Sequence, residues 1–229
     1  MAEIAAWFTD PANWAGPNGI PTRVLEHVEI SVAALLIAAA IGLPVGLWIG
    51  HNRRGVRLAI NLANLGRAIP SLAAIAILVP FTQLISPRGG GFDLYPTVIA
   101  MVLLAIPPIL VNAYAGVAEV DRELVESARG MGLREREILR GVELPIAIPV
   151  IIGGIRSAAV QVIATTTLGA IYGLGALGRY IKAGIDQRDA NGMLFGGVIL
   201  VALLALSSEG LLALAQRRLT SPGLRFATR

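Results

Sequence analysis

The sequence predicts an all-α, polytopic membrane protein of about five transmembrane helices, N-terminus outside and C-terminus inside. Three observations carry that prediction. Of 229 residues 55% are hydrophobic and 15% charged, with a mean hydropathy of +0.70, more apolar surface than one core of this size can bury. Charge-free runs occur at Ile30–Asn52, Ala68–Pro87, Leu94–Ala118 and Ser157–Gly178, and about 20 apolar residues cross a bilayer core. Finally, Lys and Arg gather on alternate connecting segments: twelve on 51–57, 118–143 and 216–229, against five on 1–27, 87–94 and 173–192. The richer set marks the inner face. The formal charge of +4 is therefore an inner-face bias, and no nucleic-acid partner is expected. The absence of cysteine excludes a disulfide scaffold and a cysteine-ligated metal domain.

The elements follow in order. Residues 1–20 carry Glu3, Asp10, Pro11 and Pro17 and lack the charged and apolar regions of a cleavable signal. Trp7, Phe8 and Trp14 mark either a short interfacial segment or a loose tail. The spans are expected at about 28–50, 68–86, 95–117, 148–172 and 193–215, in one transmembrane domain over 1–229. Arg88-Gly89-Gly90-Gly91 is an outer hairpin loop. Residues 144–178 are too few for two spans and too many for one, so this segment starts at or below the interface. Helix breakers stand in nearly every span: Gly42-Leu43-Pro44, Pro70, Pro80, Pro107-Pro108 and Pro149. Such breaks are tolerated where neighbouring helices or a cavity satisfy the freed backbone groups, which favours a moving pathway over a passive anchor.

The most informative segment is the inner loop 118–145. Val117, Val120, Leu124 and Ala128 recur at helical spacing. Gly130-Met131-Gly132 breaks that helix and Leu133–Arg140 forms a second, with Ile138 and Leu139 toward the membrane domain. Arg134, Glu135, Arg136 and Glu137 face solvent or a partner. The run Glu126-Ser127-Ala128, three residues to Gly132, nine more, then Val142-Glu143-Leu144-Pro145 resembles the E-A-A loop of the permease subunits of ABC importers. The departures are Ser127 for alanine and Val142 for isoleucine. The resemblance implies the type I importer permease fold and a loop that docks in a groove of a soluble ATPase through Glu126, Ser127, Ala128, Gly132, Leu144 and Pro145. Small residues allow close approach there, Glu126 can hold the two short helices at their angle, and Pro145 fits the first turn of the next helix.

Further segments narrow the group. Gly66-Arg67-Ala68-Ile69-Pro70-Ser71-Leu72-Ala73, Ala164-Thr165-Thr166-Thr167-Leu168-Gly169-Ala170, Gly173–Gly178 and Thr9–Trp14 are similar to permeases for osmoprotectants: glycine betaine, carnitine and choline. The resemblance implies alternating access in the cytoplasmic (inner) membrane of a bacterium. The implied partners are an ABC ATPase dimer that holds ATP and Mg2+, a second permease subunit (identical or homologous) and an extracytoplasmic solute-binding protein, within the lipid bilayer. Relatives that import methionine or other amino acids share part of the fourth-span pattern and form the alternative. An ATP-independent secondary transporter is a further one, but it would not need the loop.

Polar residues inside apolar spans are the candidates for lining the path: Ser71, Asn112, Tyr114, Gln161, Thr165, Thr166 and Thr167. Each either lines it or bonds to a neighbouring helix or backbone carbonyl. Glu209 is costly in a span and is either functional, snorkelling or paired with Arg156. Trp48, Phe81, Tyr114, Tyr172 and Phe195 are too scattered for an aromatic cage, which points to selectivity in a separate binding protein. The two histidines, His27 and His51, sit at span ends, unlike those of a membrane hydrolase. Lys182, the one lysine, lies between Ile181 and Ala183, so the G-K-[ST] ending of a P-loop is missing. This chain is expected to be no enzyme and to bind no cofactor itself.

Overall fold

The computed structural model describes residues 1–55, 57, 61, 64, 68–187 and 190–220. Gly66 and Arg67 of the second-span motif lie outside the described residues. Among those described the elements are α1 (Ala2–Thr9), a 3-10 turn (Pro11–Trp14), α2 (Ile20–Asn52), α3 (Ser71–Ile85), α4 (Leu94–Ala118), α5 (Arg122–Gly130), α6 (Glu135–Ile138), a π turn (Leu139–Glu143), α7 (Leu144–Thr166), a second 3-10 turn (Thr167–Tyr172), α8 (Gly178–Asp186) and α9 (Asn191–Leu219). Four helical stretches are long and apolar enough to cross a bilayer: α2, α4, the run Glu135–Tyr172 and α9. The fifth expected span, α3, has 15 residues, about 22 Å of helix.

The first span begins earlier than hydropathy places it. Helix α2 starts at Ile20, so Arg23, Glu26 and His27 are helical. Their polar groups find partners inside the protein, apart from the buried His27 Nδ1. Arg23 Nη1 donates to Glu26 at 2.6 Å, Glu26 accepts the Ala176 N–H at 2.8 Å, and His27 Nε2 meets the Ile163 carbonyl at 3.0 Å. A buried polar group with a partner is cheap, and hydropathy averages cannot see the partner.

Helices α2, α4 and α7 form the centre of the bundle around Ala34, Ala38, Met101, Val102, Ala105, Ile109, Ala158 and Val162. Small residues set how close they come, as expected where packing rather than water drives helix association. A Cβ on Gly46 would stand 2.5 Å from the Leu110 carbonyl oxygen, and one on Gly50 would stand 2.7 Å from Val117 Cβ. Helices α2 and α4 thus meet backbone to backbone toward the end of α2. Helix α3 packs mainly on α4 and leaves Ile77, Phe81, Leu84 and Ile85 exposed. Its last turn is tied to the following hairpin by Thr82, whose hydroxyl donates to the Gly91 carbonyl at 2.6 Å.

The N-terminal segment is helical and packed, not loose. Trp7 lies against α9, where a Cβ on Gly196 would stand 2.4 Å from its ring, and Tyr180 meets Trp7 edge-on at 5.2 Å. Helix α9 is otherwise open: only Gly192, Gly196 and Gly197 are buried along it. Its tie to α7 is polar. Arg156 pairs with Glu209 and donates to Gln216 at 2.6 Å, and Gln216 donates to the Pro149 carbonyl at 3.0 Å. Glu209 is thus the paired group among its expected readings.

Candidate coupling site

The loop between α4 and α7 is a helical hairpin set against the end of α2. Its first helix is capped by Asp121, whose carboxylate accepts the Glu123 N–H at 2.9 Å. This satisfies one of the donors a helix start leaves open. The chain reverses at Gly130-Met131-Gly132. Gly132 has φ +87°, a left-handed conformation that glycine adopts without penalty, and the Leu133 N–H returns to the Ala128 carbonyl at 3.2 Å. Helix α6 then starts with the Arg134 N–H donating to Glu137 at 2.7 Å. It runs through the π turn into α7 without a loop. That continuity is why 144–178 fits neither one span nor two: the helix of the fourth span begins before the membrane run does.

Burial sorts the expected docking residues. Ala128 is buried and Glu126, Ser127 and Gly132 are exposed, with Leu144 and Pro145 between. Of the predicted stripe, Val117, Val120 and Ala128 are buried, while Leu124 is 51% exposed. Leu124 therefore belongs to the outward face of α5, because the chain bends at Glu119–Asp121 and resets the phase of the next helix. Ile138 is fully buried and Leu139 packs on the cluster of Ala113, Val117, Ala147 and Ile151, as their sequence positions predict. Arg134, Glu135, Arg136 and Glu137 are exposed.

The angle between the two short helices is not held by Glu126. Arg129 does it, donating to Glu135 from Nε at 2.8 Å and from Nη2 at 3.0 Å. This two-point geometry is the strongest form of such a pair. The Arg129 guanidinium holds the Glu135 carboxyl below its ordinary range, and Glu135 in turn raises Arg129. Glu126 lies in a pocket of about 140 Å³ shared with His51, Asn52, Arg53, Arg122, Val125, Arg129 and Glu143.

His51 closes the site. It is in the last turn of α2, before Arg53 turns the chain with φ +53°. Its Nδ1 is 2.6 Å from Glu143 in the π turn, and its Nε2 is 3.3 Å from Glu135 of α6. Glu143 is 4% exposed. Sequence reasoning missed His51, Glu143 and the Arg129–Glu135 pair. A lone histidine at a span end carries no spacing signal toward a loop 84 residues further on. The one available hint was Glu143, a carboxylate one residue before an apolar run.

The residues expected to line a path are not gathered at one surface. Thr166 is fully buried. It donates to the Val162 carbonyl at 2.9 Å and stands 3.0 Å from the Ser31 hydroxyl. Asn112 donates to the Pro108 carbonyl at 2.8 Å, and Thr167 to the Ala164 carbonyl at 2.6 Å. For Thr166 and Asn112 the hydrogen bonds run within the bundle, while that of Thr167 is exposed. Thr165 is 5% exposed, while Ser71, Tyr114 and Gln161 are half-buried. At the opposite end of the bundle a pocket of about 540 Å³ is lined by Arg23, Glu26, Glu29, Asp93 and Arg179 with apolar and glycine neighbours. None of the seven lines it.

The family described as "Binding-protein-dependent transport system inner membrane component" matches residues 42–221, which include α4, the hairpin, α7 and α9. The chain belongs to this family. It is a multi-pass inner-membrane protein, the permease subunit of an ABC importer rather than a catalytic subunit. Among curated relatives it is similar to the carnitine transport permease protein OpuCB of Listeria monocytogenes, 35% identical over 92% of each chain. The choline transport system permease protein OpuBB of Bacillus subtilis is 32% identical over 89% of each. The osmoprotectant import permease protein OsmW of Salmonella typhimurium is 34% identical over 90% of this chain and 94% of its own. Among solved structures, an inward-facing form of the MetNI methionine ABC transporter shares the fold. It has a TM-score of 0.78 at 22% identity and covers 93% of this permease and 100% of that chain.

Proposed function

We propose that this permease imports quaternary-amine osmoprotectants, glycine betaine, carnitine or choline, by alternating access powered by a partner ATPase dimer. The observation that carries the substrate class is the likeness, over about nine-tenths of the chain, to relatives named for carnitine, choline and osmoprotectant transport. The methionine transporter shares only the fold at its level of identity, so it does not favour amino acids. The docking element in this reading is the hairpin Glu126–Pro145, with exposed Glu126, Ser127 and Gly132 at the contact, Ala128 buried behind them and Leu144 and Pro145 leading into α7. ATP and Mg2+ belong to the ATPase. The N-terminus faces outward, which sets the hairpin in the cytoplasm, and an extracytoplasmic binding protein delivers the substrate to a pair of permease subunits.

Uptake into proteoliposomes tests this directly, using the complex captured from its native membrane with its binding protein added. Labelled glycine betaine, carnitine or choline should accumulate only with ATP inside, while labelled methionine should not. ATP-driven accumulation of methionine with none of the amines would overturn the substrate class. Full accumulation by the purified permease without ATP would overturn the partner.

A further inference from the structure

At the end of the bundle opposite the hairpin, two cavities flank one turn of the chain. The first, of about 520 Å³, is lined by Phe92, Tyr172, Arg179, Lys182 and Asp186 with apolar and glycine neighbours. The second, of about 540 Å³, holds Glu26, Glu29 and Asp93. Gly173, Leu174 and Arg179 line both. Either volume suits a small organic ligand, for which roughly 300–1,000 Å³ is usual.

The first cavity offers two unlike groups to a ligand. Phe92 and Tyr172 stand edge to face, with ring centroids 5.8 Å apart and planes at 70°. They make an aromatic corner where Tyr172 alone was expected, among scattered rings. Both stay accessible: Phe92 is 50% exposed and Tyr172 is half-buried. Aromatic faces attract cations, quaternary ammonium above all. The second group is Arg179. It is exposed, and its guanidinium has no hydrogen-bond or ion-pair partner among the described residues. Lys182 is neutralised by Asp186 one turn away, so Arg179 is the cavity's uncompensated charge. A guanidinium fork matches a carboxylate at two points.

The walls are held in place. The turn between the cavities has Gly173 at φ +95° and Ala176 at φ +58°. The second is strained backbone, of a kind that persists where its surroundings fix it and that gathers at ligand clamps. Here Glu26 fixes it: its carboxylate accepts the Ala176 N–H at 2.8 Å and a bond from buried Arg23 at 2.6 Å. On the other side, buried Thr82 donates to the carbonyl of Gly91, the residue before Phe92. Groups held beforehand lose less to ordering on binding. We propose that the Phe92–Tyr172 corner and Arg179 form a binding site for a trimethylammonium zwitterion at the outer mouth of the permease, the rings taking the cation and the guanidinium the anionic group. The site rests on the quaternary-amine reading above for its ligand and adds that the permease itself discriminates. A zwitterion uses both halves, whereas choline, which has no anionic group, uses the rings alone.

Free glycine betaine or carnitine and the phosphocholine headgroup of a lipid share this chemistry. The test uses the permease in nanodiscs of phosphatidylethanolamine and phosphatidylglycerol, with saturation-transfer NMR on the trimethyl protons of added glycine betaine, carnitine or choline. The zwitterions should bind more tightly than choline. Arg179→Gln should weaken both zwitterions about tenfold and leave choline within about twofold. Phe92→Leu, which keeps an apolar side chain without the ring, should weaken all three about fivefold, and Phe92→Tyr should restore them. Melting temperatures should not move, since Arg179 is unpaired and Phe92 is half exposed. Adding phosphatidylcholine to the discs separates the sources. Unchanged glycine betaine binding assigns the site to the free solute, and competition that Arg179→Gln abolishes assigns it to the headgroup. Absence of binding by both zwitterions would overturn the proposal, as would equal losses of choline and glycine betaine in Arg179→Gln, or full binding in Phe92→Leu. None of these measurements involves ATP, so failure of the substrate class is seen separately, as accumulation of methionine in the proteoliposomes.

Discussion

The centre of the bundle and the hairpin at its end are built by opposite means. Between α2 and α4 the contact depends on what is absent: side chains at Gly42, Gly46 and Gly50, where a Cβ would meet the facing helix at 3.2, 2.5 and 2.7 Å. The hairpin depends on what is present: Arg129 bonds Glu135 across the two short helices at an exposed surface, and His51 meets buried Glu143 beneath them. Glycine seams resist change because interiors are close-packed. Exposed ion pairs add little stability and respond to pH and salt.

The largest effect should come from the seam. Gly46→Leu forces a branched side chain against the Leu110 carbonyl and Ala113. Overpacking of this kind costs about 1–3 kcal/mol. Thermal unfolding in detergent should show a clear loss of stability, with the hairpin sequence untouched. An unchanged melt would mean that α2 and α4 are not packed through this face.

Next comes the polar tie between α7 and α9. Glu209→Ala leaves Arg156 without its carboxylate in a span, and abundance in the membrane should fall several-fold. Arg156→Ala/Glu209→Ala together should do less harm than Glu209→Ala alone, because it leaves no unpaired charge. Quantitative immunoblotting of membrane fractions distinguishes the two patterns, and additive losses would deny the pair.

Changes at the hairpin should leave the melt alone and alter function. Glu135→Gln should lower ATPase capture and substrate uptake at neutral pH without lowering the melting temperature. The Glu135 carboxyl is held below its ordinary range by Arg129, so the pair is complete above about pH 4.3, the value of a free carboxyl. It is lost as the pH falls through the lowered folded value. Capture by the unaltered permease should therefore survive to below pH 4.3 before this contact fails. The smallest effect should be on Leu124→Ala, which removes an exposed side chain and should change stability within about 0.5 kcal/mol. A large destabilisation there would restore Leu124 to the buried stripe.

The same contrast explains what could be read from sequence. Five apolar segments, the break at Gly130–Gly132 and the inward faces of Ile138 and Leu139 were legible, because each follows from local composition and helical period. The start of α2 was not, since Arg23, Glu26 and His27 are made helical by Ala176 and Ile163, more than 130 positions away. Leu124 failed for a local reason, a bend that resets the helical phase. Thr166 and Asn112 read as pathway candidates because polarity in a span signals either function or an internal hydrogen bond; the structure gives each an internal bond. The contacts of His51 were invisible for the same reason as α2: His51, Glu135 and Glu143 carry no shared spacing.

The central claim, that the hairpin is where a partner ATPase engages this permease, is tested most directly by Gly132→Arg. Gly132 is exposed, and a Cβ there would meet nothing within 4 Å, but its φ of +87° is hard for any other residue. The change therefore strains the turn without touching the bundle. Affinity capture of the tagged permease from its native membrane should retain an ABC ATPase, and Gly132→Arg should lose it while the melting temperature stays the same. Undiminished ATPase capture by Gly132→Arg would contradict the account.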